Sequence, residues 1–174
     1  QPNGMVRVGM HIKDILKEVE CFDVVGLTSI FTAQTRMVED VVSAIKQNYP
    51  DKIIVLGGVN ARSQMQRFFN IGADLICLSE AEETIVEIGD VLRAGNKDFS
   101  NIPGLAGKDG FVNPQTKIIQ NLDNLPIPAW DMQPLKKYWE IARPHGSGFA
   151  DGDIAYAPVM FSRGCPFKCH YCHI

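Results

Sequence analysis

"FDVVGLTSI" at residues 22–30 and "DKIIVLGG" at residues 51–58 decide the fold. Each is a short aliphatic, β-branched run ending in small or polar residues, the pattern of a strand buried on both faces of a parallel sheet. A weaker run, "ADLICLSE" at residues 73–80, reads as a third strand. The intervening segments carry helical periodicity. "TAQTRMVEDVVSAIKQNYP" sets Met37, Val41, Val42 and Ile45 on one face, and Pro50 follows its stop. "SQMQRFFNIGA" predicts a shorter helix with Ser63 as its cap and Gly72 beyond its end. "EAEETIVEIGDVLRAGN" sets Ile85, Ile88 and Leu92 on one side and ends at Gly95. "MHIKDILKEVECF" is a short amphipathic helix ahead of the first strand. The order α-β-α-β-α-β-α predicts an α/β fold, a doubly wound parallel sheet with helices on both faces.

Composition narrows the function classes. The 174 residues are 45% hydrophobic and 21% charged, as in ordinary globular domains. A net charge of -3 gives no electrostatic reason to expect nucleic acid or an anionic membrane as partner. No apolar run approaches the roughly 20 residues of a membrane helix, and no secretory leader is visible. Five cysteines, three of them bunched, do not resemble a disulfide framework. A reducing, cytoplasmic setting is the expectation.

The pattern changes near Asn96. "KDFSNIPGLAGKDGFVNPQTKIIQNLDNLPIPAWDMQP" is rich in Pro, Gly and Asn. Two strand-like pieces, around Leu105 and around Ile118–Ile119, flank a "KDG" turn. Pro126 and Pro128 exclude a helix through "LPIPAWD". The expected organisation is an α/β domain over residues 1–95, a hairpin and linker over 96–155, and a new unit from 156 to 174. "AYAPVMFSRGC" reads as a strand delivering cysteines at its C-terminal end.

Those cysteines follow the spacing Cys165-x3-Cys169-x2-Cys172. Three thiolates on one loop can hold three irons of a [4Fe–4S] cube and leave the fourth iron open to a substrate. Zinc is an alternative, with His170 or His173 as fourth ligand. "CHYCH" also matches covalent haem attachment, and Cys169–Cys172 alone matches a redox pair. The haem reading leaves Cys165 and "SRG" unexplained. Cys21 and Cys77 sit in apolar contexts and read as inert core residues. His11 and His145 have no partner nearby in sequence.

"SRGCPFKCHYC" resembles the signature loop of the radical S-adenosylmethionine (SAM) superfamily, which follows the first strand of a (β/α) barrel. The resemblance implies that Cys165, Cys169 and Cys172 hold a [4Fe–4S] cluster and that Tyr171 lies near the adenine of SAM. The stretches "FDVVGLTSIFTAQ", "DKIIVLGGVNAR" and "ADLICLSEAEETIVEI" are similar to the flavodoxin-like cobalamin-binding (B12-binding) domain that precedes many radical SAM cores, and "NLDNLPIPAWDMQPLKKY" is similar to its linker. By that resemblance Thr28, Ser29 and Ile30 match the S-x-L element whose hydroxyl meets the nucleotide tail of cobalamin. Gly57 and Gly58 match the glycine pair that lets the tail lie against the backbone. Where relatives often carry glycines beside Glu80 and Glu82, this chain has Ser79 and Ala81, so Glu82 and Glu83 read as residues opening the next helix.

The resemblance implies an internal fragment of a B12-binding radical SAM enzyme. It would cover an N-terminally incomplete cobalamin domain lacking its first two strands, the linker, and the first strand and cluster loop of the barrel. The full enzyme would reductively cleave SAM to a 5′-deoxyadenosyl radical and, in the commonest version, transfer a methyl group from methylcobalamin to carbon. Its partners would be a small-molecule substrate and an electron donor. A methylthiotransferase-like enzyme and a non-catalytic metal- or corrinoid-binding module are the alternatives.

Overall fold

A computed structural model describes residues 9–114, 118–141, 155–157, 159–160 and 162–172. The chain divides into two compact units, Gln1–Gln120 and Asn121–Ile174.

The first unit is an α/β sheet structure. Helix α1 (Ile12–Val19) leads into β1 (Val24–Thr28), and a 3-10 turn (Thr32–Gln34) precedes α2 (Thr35–Asn48). Strand β2 (Ile53–Gly57) is followed by two short helices, α3 (Val59–Ser63) and α4 (Met65–Asn70). Then come β3 (Leu75–Cys77), α5 (Glu82–Arg93) and β4 (Leu105–Gly107). The sheet order is β1-β2-β3-β4, with β1, β2 and β3 parallel and β4 antiparallel to β3. The predicted parallel, doubly wound core therefore forms, and a single antiparallel strand closes one edge.

Alternation along the strands divides the core in two. Val25, Ile54, Leu56 and Ile76 pack with Val38, Val42 and Ile45 of α2, Ala61 of α3 and Phe68 of α4, and α1 covers this cluster through Ile15, Leu16 and Val19. Val55, Leu75 and Cys77 face the other way, against Ile88 of α5 and Phe99, Ile102 and Leu105. Helices thus cover both faces, and Val25, Ile54, Val55 and Ile76 are each buried on the side their register dictates.

Several local expectations shift. The buried face of α2 uses Val38 where Met37 was expected, and Met37 is 38% exposed. The helix predicted from Ser63 forms as α4, but Gln64 (φ -123, ψ 34) and not Ser63 stands before it; Ser63 instead ends α3, which the sequence did not predict, with its hydroxyl donating to the Val59 carbonyl at 2.9 Å. The second leg of the hairpin is not at Ile118–Ile119. Ala106 bridges Val112, because Lys108–Gly110 turn the chain at once and Gly107 N–H donates to the Phe111 carbonyl at 3.0 Å. Cys21 is exposed rather than part of the core, whereas Cys77 is buried as expected.

At the amino ends of the strands, the Asp74 carboxylate receives Lys46 Nζ at 2.7 Å, Lys108 Nζ at 2.6 Å and the Ile54 N–H at 2.8 Å. Burial pushes this carboxyl up, but Lys108, Lys46 and the Ile54 N–H outweigh it and hold it below the usual carboxylate range.

The second unit contains 3-10 turns at Leu122–Asn124 and Trp130–Met132 and helix α6 (Leu135–Ile141). The Trp139 indole N–H donates to the Tyr156 carbonyl at 2.7 Å. The expected barrel strand in "AYAPVMFSRGC" is not formed among the described residues of that stretch; Pro158 and Phe161 lie outside them.

Candidate functional site

In open parallel sheets, ligands bind beyond the carboxyl ends of the strands. Here that rim is built by Thr28 to Phe31 after β1, Gly57 to Val59 after β2, and Leu78 to Ala81 after β3. The ladder sets Thr28 opposite Gly57. Counting back by twos from Thr28, Gly26 falls on the same side of the sheet, the α5 side, where Val24 and Val55 join the core below. Gly26 and Thr28 are exposed and Gly57 partly so. A Cβ at Gly26 or at Gly57 would meet nothing within 4 Å. The result is a shallow trough of small residues over β1 and β2, with the Thr28 hydroxyl at its end.

The two adjacent glycines behave differently. Gly58 has φ +98, and a Cβ there would lie 2.5 Å from the Ser29 carbonyl oxygen and 3.3 Å from the Ile30 nitrogen. Its missing side chain accommodates the neighbouring backbone, so the close approach expected for a ligand at this residue is already filled by the chain itself. Gly57 is the glycine of the pair that faces open space.

Of Thr28, Ser29 and Ile30, the three residues at the end of β1 matched to the tail, Ser29 turns inward. It is fully buried, and its hydroxyl accepts from Asn60 Nδ2 at 2.7 Å. Thr28 is the exposed hydroxyl at this strand end. Ile30 is 49% exposed, and its N–H, with that of Phe31, donates to Gln34 Oε1 at 3.1 Å. Ile30, Phe31 and Val59, all substantially exposed, give the rim an apolar border. Glu82 and Glu83 lie in the first turn of α5, as expected, and Glu80 Oε2 accepts from the Ile119 N–H at 3.2 Å.

Asn60, Thr35 and Gln64 were not singled out from the sequence, yet Asn60 bonds Ser29, and Thr35 and Gln64 bond Asn60. Their one signal was a polar pair four residues apart, Asn60 and Gln64, directly after the glycines.

The second unit carries the other candidate site. Cys165, Cys169 and Cys172 are free and exposed, and the Cys172 N–H donates to the Cys169 carbonyl at 3.1 Å, forming a turn. Tyr171 is 88% exposed. No three metal-ligating side chains are gathered into one group among the described residues; His145 and His173 lie outside them. The donor set itself, three accessible thiols on one turn-forming loop, suits an iron–sulfur cluster. Metal-binding loops are commonly closed by the metal they bind. Cys77 is unsuited as a further ligand, because burial pushes its thiol up to about 11 and keeps it protonated.

The sequence profile of the B12 binding domain matches residues 5–89, the segment that carries β1, β2, β3 and the rim. An uncharacterized methyltransferase of Pyrococcus horikoshii, PH0819, is 33% identical over 171 residues, covering 94% of this chain and 34% of its own length. The cobalamin-dependent radical SAM methyltransferase TokK of Streptomyces tokunonensis is 25% identical, covering 86% of this chain and 22% of TokK. Among solved structures, the radical SAM methyltransferase TsrM of Kitasatospora setae aligns with a TM-score of 0.50 at 19% identity over 59% of this chain and 21% of its own, a likeness of fold. The chain thus spans about a third of the first of these relatives and less of the others. Residues 5–89 thus match the B12 binding domain family, and the proteins similar to this chain include a cobalamin-dependent radical SAM methyltransferase.

Proposed function

We propose that the first unit binds cobalamin with its nucleotide tail in the trough over β1 and β2, and that the protein to which this chain belongs is a radical SAM methyltransferase acting on a small molecule. One observation carries the cobalamin reading: Thr28 and Gly57 lie side by side at the strand ends, with open space beside Gly57. Gly57 lets a planar heteroaromatic group rest against the backbone. The Thr28 hydroxyl supplies one hydrogen bond to it, and Ile30, Phe31 and Val59 exclude water from its apolar parts.

Cys165, Cys169 and Cys172 would hold a [4Fe–4S] cluster, which when bound supplies the electron for reductive cleavage of SAM. Three protein ligands leave one iron free for the amino and carboxylate groups of SAM, and Tyr171 is available to pack on the adenine. A methylthiotransferase-like arrangement, with further cluster cysteines in the front domain, fits poorly. Only Cys21 and Cys77 remain there, one exposed and one buried and protonated.

The test is anaerobic purification of the full-length protein with added hydroxocobalamin, iron and sulfide. About one cobalamin and about four irons per chain are expected. Replacing Cys165, Cys169 and Cys172 together with Ala should abolish the iron and leave the cobalamin. Stoichiometric zinc in place of iron would overturn the cluster assignment, and absence of cobalamin would overturn the reading of the trough.

A further inference from the structure

At the carboxyl ends of the strands, a buried polar cluster ties the loops to one short helix. The Ser29 carbonyl accepts from the N–H groups of Asn60 and Ala61, at 3.1 and 3.2 Å, in the first turn of α3. The Ser29 N–H donates to the Gly57 carbonyl at 2.8 Å. Asn60 Nδ2 donates to Ser29 Oγ at 2.7 Å and to Thr35 Oγ1 at 2.9 Å, while Asn60 Oδ1 accepts from Gln64 Nε2 at 2.7 Å. Thr35 Oγ1 in turn donates to the Thr32 carbonyl at 2.8 Å. Ser29, Thr35 and Asn60 are each less than 5% exposed. Two residues further along α3, Arg62 Nη1 donates to the Leu78 carbonyl at 3.0 Å, at the end of β3. Helix α3 therefore touches the loop after every parallel strand.

Burying three polar side chains at a sheet rim is unfavourable unless each finds its partners. Here the Asn60 amide uses both donor hydrogens and its carbonyl oxygen, so one side chain ties Ser29, Thr35 and Gln64 together. An apolar plug would fill the same space without fixing the loop. What the cluster fixes is the path from Ser29 to Gln34, the segment that carries Ile30 and Phe31 to the border of the trough beside Gly57.

We propose that Asn60 is a positioning residue for the cobalamin site, holding the Ser29–Gln34 loop through Ser29 and Thr35 so that Ile30 and Phe31 stand over the trough. The inference rests on the cobalamin reading above. It is tested by titrating the full-length protein with hydroxocobalamin. Asn60→Ala is expected to raise Kd by about tenfold, the equivalent of one lost net hydrogen-bonded contact. Thr35→Val, which keeps the shape and removes the hydroxyl, is expected to raise it in the same direction. The double variant should bind no more weakly than Asn60→Ala alone, because both act through one cluster. Ile45→Val in the last turn of α2 is the stability control, expected to lower Tm and leave Kd unchanged. If Asn60→Ala does not fold, Thr35→Val decides. Kd within twofold of wild type in the folded variants, or an equal rise in Ile45→Val, overturns the positioning role and leaves cobalamin binding intact. A wild-type protein that binds no cobalamin overturns the site reading and this inference together.

Discussion

Gly57 and Gly58 are neighbours in a two-residue motif, yet their missing side chains serve different contacts. At Gly58 the backbone is left-handed, with φ +98, and the vacant Cβ position lies 2.5 Å from the Ser29 carbonyl oxygen. An L side chain there combines conformational strain with overlap against backbone that cannot rotate away. Gly58→Ala is therefore expected to destabilise the first unit by about 2–4 kcal/mol, read as a drop in Tm, whether or not cobalamin is present. Gly57→Ala has room and is expected to leave Tm within a few degrees of wild type. Equal Tm for the two variants would contradict this division. Sequence reasoning saw the pair and its place at a strand end. The distinction between the two residues was invisible to it, because it depends on the course of the loop at Ser29, far earlier in the chain. Ser29 shows the same limit. A hydroxyl at a strand end reads as exposed, and only its inward turn onto Asn60 removes it from the surface.

The elements show where local pattern suffices and where it does not. β1 and β2 were legible as largely aliphatic runs and β3 as a weaker one, and α2 and α5 as long periodic segments. The break between α3 and α4 was not, since Ser63, Gln64 and Met65 contain no Gly or Pro to announce it. β4 is three residues, Leu105–Gly107, and its bridge partner near Val112 was displaced in expectation to the more β-branched Ile118–Ile119. Nor did the sequence disclose Asp74, which joins α2, β2 and the turn after β4 through Lys46, the Ile54 N–H and Lys108. Its carboxyl is held below the usual range, so it contributes stability above the unfolded-state value, about 3.9, that is lost as pH falls through the lower folded-state value. Asp74→Asn is expected to lower Tm at pH 7 and to flatten the acid limb of the stability curve. Parallel acid limbs in the two proteins, measured by thermal unfolding between about pH 3 and 7, would show that the Asp74 cluster does not couple these elements.

For the whole molecule, the two candidate sites fall in separate compact units, cobalamin in Gln1–Gln120 and the three cysteines in Asn121–Ile174. Among the described residues no helix is long and apolar enough to cross a membrane. The expected order of segments, an α/β domain, a proline-rich connection and a cysteine loop, rests on the composition of each. The barrel strand expected before the cysteines does not form among the described residues, and its apolar residues Val159 and Met160 are exposed. A strand of this kind needs neighbours for its backbone groups. The central claim, that cobalamin lies over Gly57 and Thr28, is tested most directly by hydroxocobalamin titration of the full-length Gly57→Leu variant. A Cβ at Gly57 meets nothing within 4 Å, so Tm is expected to stay near wild type while the leucine fills the trough. The account predicts a Kd raised at least about tenfold, one unit of 1.4 kcal/mol, with iron content unchanged. Wild-type affinity in a correctly folded Gly57→Leu protein would place the ligand elsewhere and contradict the account.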